Sequence, residues 1–122
     1  MLAHVLVPIS SQAGIQCLLD AMVVLNAVFL AGHEDTPPLY ESGVKYRREG
    51  DGELWQTIPV VLRAGHGDCE DLACWRAAEL RRQGIDARAT VLRASKRVWH
   101  VIVTFPGGEE DPSAELGMGR KR

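Results

Sequence analysis

The hydrophobic period of the chain changes at Gly84, and this limits the folds open to it. Before that glycine, apolar residues recur at helical spacing; after it they alternate with a period of two. Residues 87–92 read as a strand and residues 94–97 as a turn. Residues 98–105 read as a stronger strand, dense in β-branched and aromatic side chains. Pro106-Gly107-Gly108 stops that strand. Residues 109–113 open a further strand or an irregular return, which Pro112 keeps short. Helices followed by a β-meander over 87–113 predict an α+β fold. At 122 residues there is room for one core, hence a single domain over 1–122.

Three helices precede the change of period. Ser10 or Ser11 caps a helix over 11–31, in which Ile15, Leu18, Leu19, Met22, Val23, Leu25, Val28, Phe29 and Leu30 cover most of the surface. A stretch of this length and apolarity can span a bilayer. Asp20 at its middle costs roughly 2.5–3.5 kcal/mol on insertion, and basic anchors are missing at both ends. The expectation is therefore no membrane partner, but a buried core helix or the face through which a homodimer forms. Residues 1–9 are apolar without a preceding basic cluster, a poor signal peptide. Residues 39–48 read as irregular or weakly extended, and 49–52 as a turn. A short amphipathic helix is expected over 53–64 from Leu54, Ile58, Val61 and Leu62, with Pro59 tolerated only in its first turn. A third helix runs over 69–83.

A formal net charge of −2 gives no electrostatic footprint for nucleic acid, and the basic residues 120–122 form only a short terminal tail. The chain has three cysteines, Cys17, Cys69 and Cys74. Cys69 and Cys74 lie five apart on one helix, so their side chains diverge by roughly 140°. That disfavours a disulfide framework and favours a reducing, cytoplasmic location. His66, Cys69, Cys74 and His100 could be proposed as a zinc set. The pattern His-x-x-Cys-x4-Cys fits no common structural site, so no metal and no cofactor are expected.

The chemistry concentrates at Gly65-His66-Gly67-Asp68-Cys69. A glycine-rich bend, expected to let a substrate backbone approach, ends at the capping residue Asp68, and Cys69 falls on the first helical turn. The partial positive charge of a helix N-terminus favours a thiolate there. Glu70 and Asp71 oppose it, although Asp68-x-x-Asp71 also resembles a capping box. His100 lies in the 98–105 strand, on the face of Val98, Ile102 and Thr104. A helix packed on that face would bring the thiol to the imidazole, as a cysteine nucleophile requires. A third group should orient the ring. With a turn at Gly107-Gly108, Asp111 falls opposite Thr104, about 13 Å along the strand from His100, and Glu115 falls opposite His100. A tighter turn near Phe105-Pro106, or a bulge, would pair Asp111 with His100 directly. Register leaves both acids open. Oxyanion donors are sought in the Cys69 backbone N–H and in the Gln56 or Trp55 side chain. The plainer readings are a buried structural thiol at Cys69, a satisfied strand histidine at His100 and a turn residue at Asp111.

Several motifs together carry a resemblance. Gly67-Asp68-Cys69, an Ala- and Leu-rich helix ending at Gly84-Ile85, Ala87-Arg88-Ala89, Trp99-His100-Val101 on a strand, and Asp111-Pro112-Ser113 are similar to the transglutaminase-like branch of the papain-type cysteine hydrolases. The wording Asp-Cys-Glu-Asp-Leu-Ala, with Leu116-Gly117-Met118, resembles small transglutaminase-like proteins encoded by tailed phages. The resemblance spans roughly residues 65–113. It implies a papain/transglutaminase-like core with Cys69 as nucleophile, His100 as base and Asp111 as orienting acid, since the family's acid precedes a proline. It also implies a thiol peptidase or amidase acting on a protein or peptide, with a protein-glutamine transamidase or a non-catalytic phage assembly module as alternatives. A phage-encoded chain would work in the host cytoplasm or with the virion. The sequence departs from the family at Trp99 and Val101, where His-Ala-Trp is common.

Overall fold

The computed structural model describes residues 11–48, 54–95 and 98–119. Among these residues there are four α-helices, a three-stranded antiparallel sheet and a two-stranded parallel ribbon. The α+β expectation holds.

Helix α1 (Gln12–Gly32) starts where Ser11 Oγ accepts the Gly14 N–H at 3.1 Å, a cap that contributes about 1 kcal/mol. Leu19, Met22, Val23, Asn26 and Leu30 form its buried stripe, against α3 and β3. By length and composition α1 could cross a membrane. Its polar residues instead tie it to the domain. Gln16 donates to the Ala89 carbonyl at 2.8 Å and accepts the Val91 N–H at 3.1 Å, so its amide pairs with the outer edge of β3 much as a strand would. Asp20 pairs with Arg88 at 2.9 Å, and Asn26 accepts the Ile58 N–H at 3.1 Å. Val24, Leu25 and Val28 remain exposed on the opposite side.

After a 3-10 turn at Leu39–Glu41, the short strand β1 (Lys45–Tyr46) lies parallel to β2 (His66–Gly67). Helix α2 is Ile58–Ala64, later than the expected start at 53; residues 49–53 lie outside the described set. Pro59 has no N–H and its ring crowds the carbonyl four residues back, which restricts it to the first turn and fixes the start there. Gly65 closes α2 in the left-handed region, at φ 81°.

Helix α3 (Cys69–Arg82) is the centre of the core. Leu72, Ala73, Trp75, Ala77 and Ala78 are fully buried; the small alanines let α1 and the sheet approach closely. Asp68 and Asp71 complete a capping box at its start. Its end is a Schellman closure, with Ile85 N–H to the Leu80 carbonyl at 3.0 Å, Gly84 N–H to the Arg81 carbonyl at 2.9 Å, and Gly84 at φ 86°.

Strands β3 (Arg88–Arg93), β4 (Trp99–Phe105) and β5 (Gly108–Glu110) follow in spatial order, with Leu92 opposite His100 and Val103 opposite Glu110. The expected turn at 94–97 lies partly outside the described residues. The meander does not run to 113. It ends at Glu110, and Pro112–Glu115 form a short helix, α4. Proline suits the first turn of a helix and is costly in a ladder, so the chain turns away.

Two expectations about faces are corrected. Val101 and Val103 join the core cluster with α1 and α3, so α3, which begins at Cys69, packs on the face opposite His100. Gly67 is buried, and a Cβ there would stand 3.1 Å from Asp71 Cβ and 3.3 Å from Leu72 and Val61. Its missing side chain serves packing between α2 and α3, not the approach of a substrate.

Candidate active site

The site forms where β5 stops short. The two-residue loop Pro106-Gly107, with Gly107 at φ 90°, makes Phe105 and Gly108 a hydrogen-bonded pair. Such pairs recur at every second residue, so Val103 faces Glu110 in the same way. Val101 is next in that series. Continued by two residues, the register would set Pro112 opposite it, but Pro112 has no N–H and already belongs to α4. The edge of β4 at Val101 is thereby left open to the start of α3. The Val101 backbone lies close enough to the Cys69 thiol to favour its charged form.

The same short β5 decides which acid meets His100. The turn falls one residue before Gly107-Gly108 and one after Phe105-Pro106. Continued by one residue, the register puts Asp111 opposite Ile102, on the His100 face and one diagonal step from the imidazole. Diagonal neighbours stand about 7–8 Å apart, within reach of two polar side chains. His100 Nε2 and Asp111 Oδ2 meet at 2.8 Å. The other carboxylate oxygen of Asp111 caps α4, accepting the Ala114 N–H at 3.2 Å. Asp-Pro-Ser is therefore a helix start that also holds an imidazole. Glu115 is exposed on α4, away from any ladder position opposite His100. Nε2 is thus engaged, and among the described residues no hydrogen bond joins the ring to Cys69, whose S–H is directed at Glu70.

Around the sulfur the charge is negative. Cys69 S–H donates to Glu70 Oε2 at 3.4 Å, and Glu70 is 4 % exposed. Burial first, then the charges of Glu70 and Asp68, push the thiol well above its ordinary pKa; the Val101 N–H acts the other way. The expectation of a thiolate favoured by the helix end is thus overturned for the free protein. A helix terminus lowers a pKa modestly, and desolvation with two neighbouring acids outweighs it. Tyr46 on β1 belongs to the same surroundings. Its phenol is pushed up to about 12, by burial and then by Asp68, Cys69 and Glu70, and remains a neutral O–H.

The oxyanion candidates are redistributed. The Cys69 N–H is already committed to Asp68 Oδ1 at 2.7 Å. Gln56 is held at the start of α3 through its backbone N–H, which donates to Asp71 Oδ1 at 2.8 Å, and its buried side-chain oxygen accepts nothing among the described residues. Trp55 packs partly buried against the core. The four residues weighed as a zinc set are not gathered. Cys74 is buried against the Leu19 carbonyl at 3.8 Å. Among the described residues, the side-chain atoms clustered with the Cys69 thiol are those of Asp68 and Glu70, within 4.8 Å of one another.

Sequence reading missed the contributions of Val101 and Tyr46. A backbone N–H leaves no mark in a sequence, and a tyrosine in a weakly extended stretch reads first as packing. Comparison of the chain with family models, with curated proteins and with solved structures returns no match.

Proposed function

We propose that the protein is a cysteine-dependent acyl-transfer enzyme with a papain/transglutaminase-like core, cleaving an amide or peptide bond through Cys69, His100 and Asp111. The observation that carries this reading is the convergence at one stretch of β4. His100 is held by Asp111 at 2.8 Å, and the backbone of the next residue, Val101, lies beside the Cys69 thiol and acts on its titration. The chain order of cysteine at a helix start, histidine on a strand and an acid before a proline supports it further.

The chemistry follows from these placements. His100 Nδ1 takes the Cys69 proton as the sulfur attacks the substrate carbonyl, forming the S–C bond. Asp111 holds the ring and stabilises the imidazolium. As the C–N bond breaks, the same proton passes to the departing amine, leaving a thioester. Water, deprotonated by Nδ1, then attacks the thioester. The acid is released and the proton returns to sulfur. An amine in place of water would give transamidation; hydrolysis is the simpler outcome and the one we favour.

One observation favours a competing reading. A thiol held neutral beside a buried acid suits a non-catalytic module that retains this architecture. The two separate on acylation by a p-nitrophenyl ester, with acyl-Cys69 located by mass spectrometry. The enzyme should release a burst of nitrophenol as Cys69 is acylated, absent in Cys69→Ser and slowed on the order of 10²–10⁴-fold in His100→Ala. Acylation no faster than at a free model thiol, or indifferent to His100→Ala, would leave the non-catalytic module.

A further inference from the structure

The proposed mechanism makes no use of Glu70, although this side chain touches the sulfur. It follows Cys69 on the first turn of α3, is 4 % exposed, and accepts the thiol hydrogen at 3.4 Å. An acid in the first turn of a helix is ordinarily explained by capping or by the helix dipole. Here both capping roles are filled, by Asp68 and Asp71. A dipole contribution needs no contact with a thiol and no burial. Residues one apart on a helix do not ordinarily face each other, so the contact reflects a rotamer that sends the carboxylate toward the sulfur. Burying that carboxylate costs free energy, and its charge opposes the thiolate that attack requires.

We propose that Glu70 is a positioning residue that brakes the Cys69 nucleophile: it accepts the thiol hydrogen, keeps the sulfur neutral and suppresses its reaction with small electrophiles in the free protein. The role rests on the reading of Cys69 as nucleophile. Reaction then depends on the proton leaving the Glu70 side for His100. Other groups bear on the same sulfur. Asp68 comes from the N-cap and Asp71 from one turn inside α3. Tyr46 comes from β1, and Arg48 follows it and acts on the Tyr46 phenol; His100, on β4, is held by Asp111. The S–H itself is directed at Glu70.

The test is the rate of carboxamidomethylation of Cys69 by iodoacetamide between about pH 6 and pH 10, where thiols titrate. In this reaction the sulfur displaces iodide from carbon and the thiol proton goes to buffer. Cys17 is exposed and is replaced by serine throughout, while Cys74 is buried and reports unfolding if it becomes labelled. Glu70→Gln should raise the Cys69 rate near pH 7 by about tenfold or more and lower the pH midpoint by at least about one unit. Asp68→Asn, which preserves the cap, should move the midpoint less. A Glu70→Gln midpoint within error of the parent, or an equal shift in Asp68→Asn, would overturn the proposal. Should Gln unfold the protein, Glu70→Met fills the same space without charge and is judged by the same outcomes. The ester assay keeps the two readings apart. A midpoint shift in Glu70→Gln with no effect of His100→Ala on acylation retains the brake and removes the triad. A loss of acylation in His100→Ala with no midpoint shift in Glu70→Gln removes the brake alone.

Discussion

Helix α3 carries two charged clusters that are built on opposite principles. At its middle, Arg76 donates to Glu110 at 2.8 Å and to Glu79 at 3.1 Å, and lies 5.0 Å over the Tyr40 ring. Glu79 also accepts the Leu39 N–H at 2.7 Å and the Trp75 indole N–H at 3.0 Å, and the Tyr40 hydroxyl donates to Glu110 at 2.8 Å. Acids there meet a cation and several donors, and the cluster fastens the 3-10 turn, helix and sheet together. At the helix start, Asp68 and Glu70 gather round a thiol whose pKa burial and their charges raise. The first cluster lowers the energy of the fold. The second raises the energy of one protonation state, the Cys69 thiolate. Damage to one should therefore register in stability and damage to the other in reactivity.

The sharpest separation comes from Asp111, which serves both purposes with different oxygens. Asparagine caps helices about as well as aspartate, so Asp111→Asn should change stability by no more than about 0.5 kcal/mol. It removes the charge that stabilises an imidazolium and permits the wrong imidazole tautomer, so acylation of Cys69 should fall roughly 10²–10⁴-fold. Thermal melting and ester burst kinetics on one preparation measure both. Equal acylation in Asp111→Asn and parent would reduce Asp111 to a helix cap.

The mid-helix cluster should give the reverse pattern. Arg76→Gln leaves Glu79 and Glu110 facing each other without their shared cation, at side chains only 18 %, 11 % and 26 % exposed. Losing charge-assisted hydrogen bonds of this kind costs about 2–3 kcal/mol, readable as a shifted urea midpoint. Alkylation of Cys69 should stay within about twofold of the parent, because Arg76 lies about two turns along α3 from the thiol. A parallel loss of both would mean that the clusters act as one unit through Glu110 and Asp111.

How much of this was legible in the sequence follows from how local each determinant is. The third helix could be placed within a residue, because Asp68 and Gly84 act through their own backbone neighbourhoods. The two main strands and the α+β layout followed from period alone. The turn between β4 and β5 was not fixed, since Pro106-Gly107 and Gly107-Gly108 both make acceptable loops and a shift of one residue decides which acid stands near His100. The packed face of β4 was misread because both faces carry large apolar side chains, Ile102 on one and Val101 and Val103 on the other. Nor does a sequence reveal that β5 ends early enough to open the edge at Val101. The sign of the charge effect on Cys69 depended on burial, which the residue types Asp-Cys-Glu-Asp do not encode.

Acid titration offers the smallest expected effect and bears only on the mid-helix cluster. Hydrogen bonding to Arg76, with a smaller contribution from Tyr40, holds the Glu110 carboxyl below its ordinary pKa, against an opposing push from burial. A folded-state pKa below the unfolded one adds stability that is full above the unfolded value, near 4.3, and is lost as pH falls through the folded value. Unfolding free energy should therefore decline below about pH 4.5, with this pair accounting for on the order of 1 kcal/mol of the loss. Glu110→Gln cannot titrate, so it should be less stable than the parent at neutral pH and the gap should close toward about pH 3. Cys69 titrates above neutrality, so its thiol takes no part in this acid loss. A Glu110→Gln curve running parallel to the parent from pH 7 to about pH 3 would show that Glu110 is not perturbed by folding. The balance of charge that distinguishes mid-helix from helix start would then have to be carried by Glu79 alone.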